Sequence, residues 1–431
     1  MHIAKVIKKE RLIVLIRMAK NHGGYFITTF INSSIPLLFL PILTRYLEPS
    51  EYANIALFNF YLALSNSLTG NSIPIIISKN FFDHPKEYVA KIIGNSIRVV
   101  FVFSLITSAL IGVFYVFLKS ILDLPILWML LIPWGSFFYV LLSMALTVHR
   151  NERKVLVFSY HKIGNTITNI LISLFFVIVL LWGWQGRVAG ILISYFLSAI
   201  WAIRYLYKNK YLDLDYSSEF VNSILKFVVP LISNAFQSVI IARVGIFFMQ
   251  LYFTKELLGV FSVAYQLSEF VHLLFMTISF TWNPFVYEQI SNVNKLDRVK
   301  FTRIFYLISL LLSIGVAFLI IFSKFILKIF TTQKYFSAIE FIPWLAIGMF
   351  FYGLYIFLLP VLMKKEKQKQ VSIISLINML IMIGLNILFV DLFGYMGIAY
   401  AFALTYFLMF VPIAILSQKV FPLPWLKSLK F

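Results

Sequence analysis

Apolar runs of roughly 20 residues, nearly free of charge, alternate along this chain with short polar or basic segments. About 30 Å of hydrocarbon needs that much helix at 1.5 Å per residue, so each run is expected to be a membrane-spanning α-helix. Twelve such runs fall near residues 25–44, 52–78, 92–118, 124–148, 163–182, 188–207, 224–254, 257–282, 301–322, 341–363, 371–390 and 396–417. Continuous stretches such as 172–182 lack the alternation of barrel strands, so an all-α polytopic membrane protein is expected. Composition agrees, with 61% of residues hydrophobic, 13% charged and a mean hydropathy of +0.90.

A formal net charge of +20 would suit nucleic acid if the basic residues formed a stripe, but they follow the loops. With the N-terminus placed in the cytoplasm, the inner segments hold 28 of the 37 Lys and Arg, and the outer loops hold seven. This is the positive-inside bias, which predicts both termini in the cytoplasm and basic loops against anionic lipid headgroups. A nucleic-acid partner is not expected. Residues 1–20 mix Lys and Arg with an apolar core at 12–16 too short to span, which reads as an interfacial helix. There are no cysteines, and the six His are scattered without ligand spacing, so neither a metal nor a cofactor is predicted. No Gly-rich phosphate loop with a Walker lysine is present, which argues against ATP hydrolysis.

The pattern repeats once. Arg150-Asn-Glu-Arg-Lys leads into a helix with Asn169-Ile-Leu, then Gly183-Trp-Gln-Gly186, then a helix with Tyr195-Phe-Leu. Lys364-Lys-Glu-Lys leads likewise to Asn386-Ile-Leu, Gly394-Tyr-Met-Gly397 and Tyr406-Phe-Leu. Two six-helix lobes are therefore expected, over 23–210 and 223–418. The interfacial helix covers 1–22, a polar inter-lobe loop covers 211–222, and a cytoplasmic tail covers 419–431. Such a repeat is typical of secondary transporters, whose substrate site lies between the repeats at mid-membrane.

Two charged residues lie deep inside apolar runs. Arg243 stands 12 residues before Lys255, about 18 Å of helix, and Glu269 stands 13 residues after Glu256, about 20 Å. They should come level on consecutive helices. A charge at the bilayer centre costs at least about 2.5–3.5 kcal/mol, so each is expected to face a partner or water. Ser262, Gln266, Glu269 and His272 form one polar stripe, and Gln250 falls on the Arg243 face. The competing reading is a structural brace unrelated to any substrate. Asn32 lies in a helix bent by Pro36 and Pro41, where it either lines a cavity or serves helix packing. Arg98, about 10 Å from Lys91, is expected to snorkel toward the inner surface.

Four segments resemble the polysaccharide repeat-unit exporters, the O-antigen flippase family of the multidrug/oligosaccharidyl-lipid/polysaccharide exporter superfamily. They are Pro36-Leu-Leu-Phe-Leu-Pro-Ile-Leu-Thr-Arg45-Tyr-Leu-Glu-Pro-Ser-Glu51-Tyr52-Ala, Leu225-Lys-Phe-Val-Val-Pro230-Leu-Ile, Leu258-Gly-Val-Phe-Ser-Val-Ala-Tyr265-Gln-Leu and Trp282-Asn-Pro284-Phe-Val-Tyr287. The resemblance implies the MATE-like two-lobe fold in a bacterial inner membrane. It also implies a non-enzymatic flippase that carries undecaprenyl-pyrophosphate-linked oligosaccharide from the cytoplasmic to the periplasmic leaflet. On that reading Arg243 and Arg98 receive the diphosphate, Asn32, Gln250 and Gln266 receive the sugar, and Glu269 with His272 pairs the arginine or couples transport. The implied partners are the lipid-linked oligosaccharide, membrane lipids, and a polysaccharide polymerase with its chain-length regulator. Many relatives carry Asp-Arg in helix seven where this chain has Gly245-Ile246, so the cationic function has either moved to Arg243 or been lost.

Three other readings compete. A cation-coupled drug exporter would share the fold and need an acid in the first lobe, where helix one has Asn32. A flippase for peptidoglycan precursors usually carries more deep arginines. A polymerase or ligase needs a large outer catalytic loop, and the outer loops here are short.

Overall fold

The computed structural model describes residues 24–428, except positions 26, 27, 30, 33, 36, 71 and 292–297. The predicted interfacial helix at 1–22 and the last three residues of the tail lie outside these. The described chain is helical: α1 (Leu37–Tyr46), α2 (Pro49–Thr69), α3 (Ile73–Asn80), α4 (Lys86–Leu122), α5 (Ile126–Asn151), α6 (Val155–Leu174), α7 (Gly183–Lys208), α8 (Ser218–Tyr252), α9 (Lys255–Ser291), α10 (Arg298–Ile321), α11 (Ser323–Phe330), α12 (Ala338–Lys364), α13 (Gln368–Phe393), α14 (Met396–Val420) and α15 (Trp425–Ser428). Among the described residues ten helices are long and apolar enough to cross a membrane.

The expected second span at 52–78 is two helices rather than one. Pro74 sits in the first turn of α3 and lacks the N–H that would bond the carbonyl four residues back, at Gly70. Gly70 takes φ +150, a conformation that side chains disfavour, and the chain restarts as α3. Prolines inside α5, α8, α12 and α14 do not end those helices, as is common where neighbouring helices satisfy the freed carbonyls. The ninth span, expected to end near 322, ends at Ile321, and Lys324 and Lys328 lie on the separate short helix α11.

The sequence repeat has a structural counterpart. Gly183 and Gly394, each opening a Gly-x-x-Gly, take φ +58 and +60. Three residues on, a Cβ at Gly186 would meet the Phe176 carbonyl carbon at 2.9 Å, and one at Gly397 would overlap the Phe389 carbonyl oxygen. Both turns thus need glycine twice, once for backbone conformation and once for close helix approach.

Two compact units account for the chain. Unit 1 comprises Met1–Pro36, Leu62–Leu118 and Pro125–Ser233; unit 2 comprises Leu37–Tyr61, Lys119–Leu124 and Asn234–Phe431. The division falls inside α8, between Ser233 and Asn234. Unit 1 buries Ile77, Val100, Val140, Met144, Val148, Leu206, Ile224 and Val228 in one cluster. At its rim Glu152 accepts from the hydroxyls of Tyr205 (3.0 Å) and Tyr211 (3.1 Å) and pairs with Lys154 at 3.0 Å. Burial pushes the Glu152 carboxyl up, but these partners together hold it below the ordinary carboxylate value. In unit 2, α12 packs between α9 and α14, and α13 packs on α14. Phe261, Phe275, Phe341, Phe357 and Phe402 fill that core.

Candidate functional site

Helices α8 and α9 are joined by a turn of two residues, Phe253 and Thr254. Arg243, nine residues before the end of α8, and Glu269, fourteen residues after the start of α9, meet within unit 2: Arg243 Nη2 lies 3.7 Å from Glu269 Oε1. That is an ion pair but longer than a hydrogen bond. Among the described residues Arg243 makes no hydrogen bond at all, although a guanidinium carries five N–H donors. The side chains remain 32% and 35% exposed, an opening unusual for charges midway along apolar helices.

Phenols surround the pair. Tyr265 donates to the Ala242 carbonyl at 2.9 Å and lies beside Glu269, and Tyr265 and Tyr406 are both within electrostatic reach of Arg243. The Tyr352 ring stands 4.8 Å from that of Tyr406, 6.0 Å from that of Tyr355 and 5.1 Å from the His272 imidazole. His272 Nε2 is buried without a hydrogen-bond partner among the described residues. A cation with open donors, a carboxylate, an imidazole and aromatic faces can hold an anion and stack on a sugar ring.

Other expected residues are placed elsewhere. Gln250 does share its helix with Arg243, but its amide donates to Asp123 Oδ2 at 2.5 Å, beside the Lys255–Asp123 ion pair at 3.0 Å. An acceptor from the 119–124 segment claims it, which helical periodicity alone does not foresee. Gln266 accepts from the Tyr52 hydroxyl, also within unit 2. Asn32 accepts from Thr166 within unit 1. Arg98 reaches the 213–217 loop, donating to Asn95 Oδ1 at 3.3 Å and to the Leu214 carbonyl, with its guanidinium 5.6 Å from the Tyr216 ring centroid.

The sequence reading did not assign Tyr265, Tyr352 and Tyr406 to the site. Tyr352 and Tyr355, three apart in an otherwise apolar α12, were the available signal, because a phenol in such a helix needs a polar neighbour. Among the described residues no group of three or more His, Asp or Glu is placed to hold a metal.

The pattern that defines the family described as "Polysaccharide biosynthesis protein" matches residues 18–288, more than half the chain and including both Arg243 and Glu269. The chain belongs to that family. The MatE pattern matches residues 230–388 of the same chain. No curated protein sequence matches significantly. Among solved structures, this polysaccharide biosynthesis family member resembles the lipid II flippase MurJ in an inward closed conformation, at TM-score 0.73 and 18% identity, covering 94% of this chain and 90% of that one. It also resembles a multidrug resistance MATE family transporter of the MOP superfamily in an inward-facing conformation, at TM-score 0.72 and 15% identity, covering 90% and 95%. A MOP superfamily transporter from Pyrococcus furiosus matches at TM-score 0.64 and 16% identity, covering 93% and 96%. At these identities the likeness is one of fold, and the polysaccharide biosynthesis family member is a polytopic all-α membrane protein.

Proposed function

We propose that this protein flips an undecaprenyl-diphosphate-linked oligosaccharide, a repeat unit of a surface polysaccharide such as O-antigen or capsule, from the cytoplasmic to the periplasmic leaflet of a bacterial inner membrane. The observation that carries this reading is Arg243: a guanidinium inside an apolar helix, nine residues from its end, loosely paired at 3.7 Å and one-third exposed. A diphosphate and a chain of sugar hydroxyls cannot enter hydrocarbon without replacement partners, since each unpaired polar group costs several kcal/mol. Arg243 offers charge-assisted donors to the diphosphate, and Tyr352 and His272, backed by the buried Tyr406, offer ring faces and polar edges to sugars. The prenyl chain stays in lipid. Glu269 holds Arg243 until the diphosphate arrives, and Gln266 contributes a polar edge to the same helix face.

The bias of the basic loops supports a topology with both termini in the cytoplasm. A polymerase and chain-length regulator in the outer leaflet would consume the product. The neighbour described as a lipid II flippase supports a lipid-linked saccharide as the substrate class. The MatE match favours a second reading, cation-coupled export of drugs. The cation-binding acid such coupling needs has no candidate on helix one, where Asn32 is bonded to Thr166.

The test is leaflet sidedness of a labelled lipid-linked oligosaccharide in proteoliposomes, comparing wild type with Arg243→Ala at matched reconstitution. Loss of translocation in the variant is expected. Wild-type transport by Arg243→Ala would remove this residue from the mechanism, and drug uptake without lipid translocation would favour the second reading.

A further inference from the structure

A groove of about 620 Å³ opens within unit 1 between the end of α3 and the first turns of α8. Its walls follow from helical periodicity. On α3 the lining residues Ile76, Lys79 and Asn80 stand at i, i+3 and i+4; on α8 Glu219, Asn222, Ser223 and Lys226 stand at i, i+3, i+4 and i+7. Each helix therefore turns one continuous face to the same space.

That space carries a net positive charge. Lys79 and Lys226 enter from opposite walls, against the single carboxylate of Glu219. Among the described residues neither lysine lies within salt-bridge distance of a carboxylate. The Lys79 ammonium stands 5.3 Å from the Phe227 ring centroid, so this cation rests on an apolar face rather than on an acid. Two cations without an acid partner, in one groove, favour an anion between them. The same groove is lined by the Asn80 and Asn222 amides and the Ser223 hydroxyl, neutral groups of the kind that donate to and accept from alcohols; one Asn80 N–H donates to the Ile76 carbonyl at 2.8 Å. The volume is several times that of a lone phosphate. Its two walls begin the basic 79–91 loop and end the basic 204–226 segment, on the side where lipid headgroups meet the inner loops.

We propose that this groove is a loading site for the headgroup of the lipid-linked oligosaccharide, with Lys79 and Lys226 receiving the diphosphate and Asn80, Asn222 and Ser223 receiving the first sugar. The proposal rests on the transport reading above and adds a station before Arg243. Glu219 limits the affinity of the groove, which allows the headgroup to leave for the deeper site.

The probe is radiolabelled polyprenyl-diphosphate N-acetylglucosamine, bound to the full chain in phosphatidylcholine nanodiscs in an Arg243→Ala background, so that the groove is the cationic site measured. Lys79→Gln/Lys226→Gln is expected to weaken binding by about tenfold or more, and the difference should shrink as salt is raised. Glu219→Gln is expected to tighten it about two- to threefold, a gain that a folding defect cannot produce. Equimolar phosphatidylglycerol or inorganic pyrophosphate should displace little probe. Displacement by phosphatidylglycerol as effective as by the probe itself would make this a general anionic-lipid site, and displacement by pyrophosphate would make it a free-phosphate site; either overturns the proposal. So would unchanged binding in both groove variants. If the lysine pair is dispensable for translocation while Arg243 is required, the loading site fails and the transport reading stands. If wild type neither binds nor translocates the probe, both fail.

Discussion

Arg98 and Arg243 are both arginines inside apolar helices, and the structure treats them differently. Arg98 lies about two turns after Lys91 in α4. It reaches a loop carbonyl, an asparagine and a tyrosine face, so protein satisfies part of its donor set. Arg243 lies nine residues before the end of α8 and meets one carboxylate at 3.7 Å, with no hydrogen bond among the described residues. The neighbours each one meets, rather than its distance from a helix end, separate a guanidinium that fixes a loop from one left with open donors. The second kind is costly to keep without a ligand, and that cost is the physical reason to assign it a role in transport.

The largest expected contrast is in translocation. Arg243→Gln should lower the rate of lipid-linked oligosaccharide transfer on the order of a hundredfold, while Arg98→Gln should change it by less than about twofold once expression is matched. Equal losses in a reconstituted flux assay would erase the distinction between the two residues. Next in size is Glu269→Gln, which leaves Arg243 without its counter-charge. We expect a stability loss of about 1–2 kcal/mol, below the range for a fully buried pair because both side chains are one-third exposed. Thermal unfolding in detergent reads it, and adding Arg243→Gln to that variant should restore part of the loss. An unaltered Tm in Glu269→Gln would mean that the pair is not coupled.

Arg98→Gln should cost about 1 kcal/mol through its lost contacts to Leu214 and Tyr216, seen as faster proteolysis at the 213–217 loop. Unchanged cleavage would contradict the assigned loop-fixing role. The smallest effect concerns Glu152. Its folded carboxyl is held below the ordinary value, so its contribution is present above the ordinary carboxylate range and is lost as pH falls through the folded value. Wild type should therefore exceed Glu152→Gln in stability at neutral pH by a few tenths of a kcal/mol, with the gap closing in acid. A gap that widens in acid would reverse the sign of that contribution.

Much of this was readable in the residues. Uninterrupted apolar runs mark helices because lipid offers the backbone no other partner, and a deep cation and a deep carboxylate on consecutive helices are expected to pair, as Arg243 and Glu269 do. The Gly-x-x-Gly repeat was legible because Gly183 and Gly394 occupy a backbone region side chains avoid. The break at Gly70 was hidden, since a glycine in an apolar run is often tolerated, and only Pro74 four residues on makes it decisive. The partners of Gln250 and Asn32 depended on Asp123 and Thr166, far away in sequence, which no periodicity reports. The phenols around Arg243 look like ordinary core aromatics until four helices bring them together.

The chain contains no cysteine, so a single Arg243→Cys substitution provides one chemical reporter at the site. Membrane vesicles bearing that variant, treated with a charged, water-soluble thiol reagent, should show labelling at residue 243. Cysteines placed at Val113 and Phe117, exposed on the apolar face of α4, should stay unreacted. Labelling of position 243 should slow when lipid-linked oligosaccharide is added. An unreactive thiol at 243, or one that reacts at the same rate with and without the lipid-linked sugar, would contradict a wet, substrate-receiving arginine.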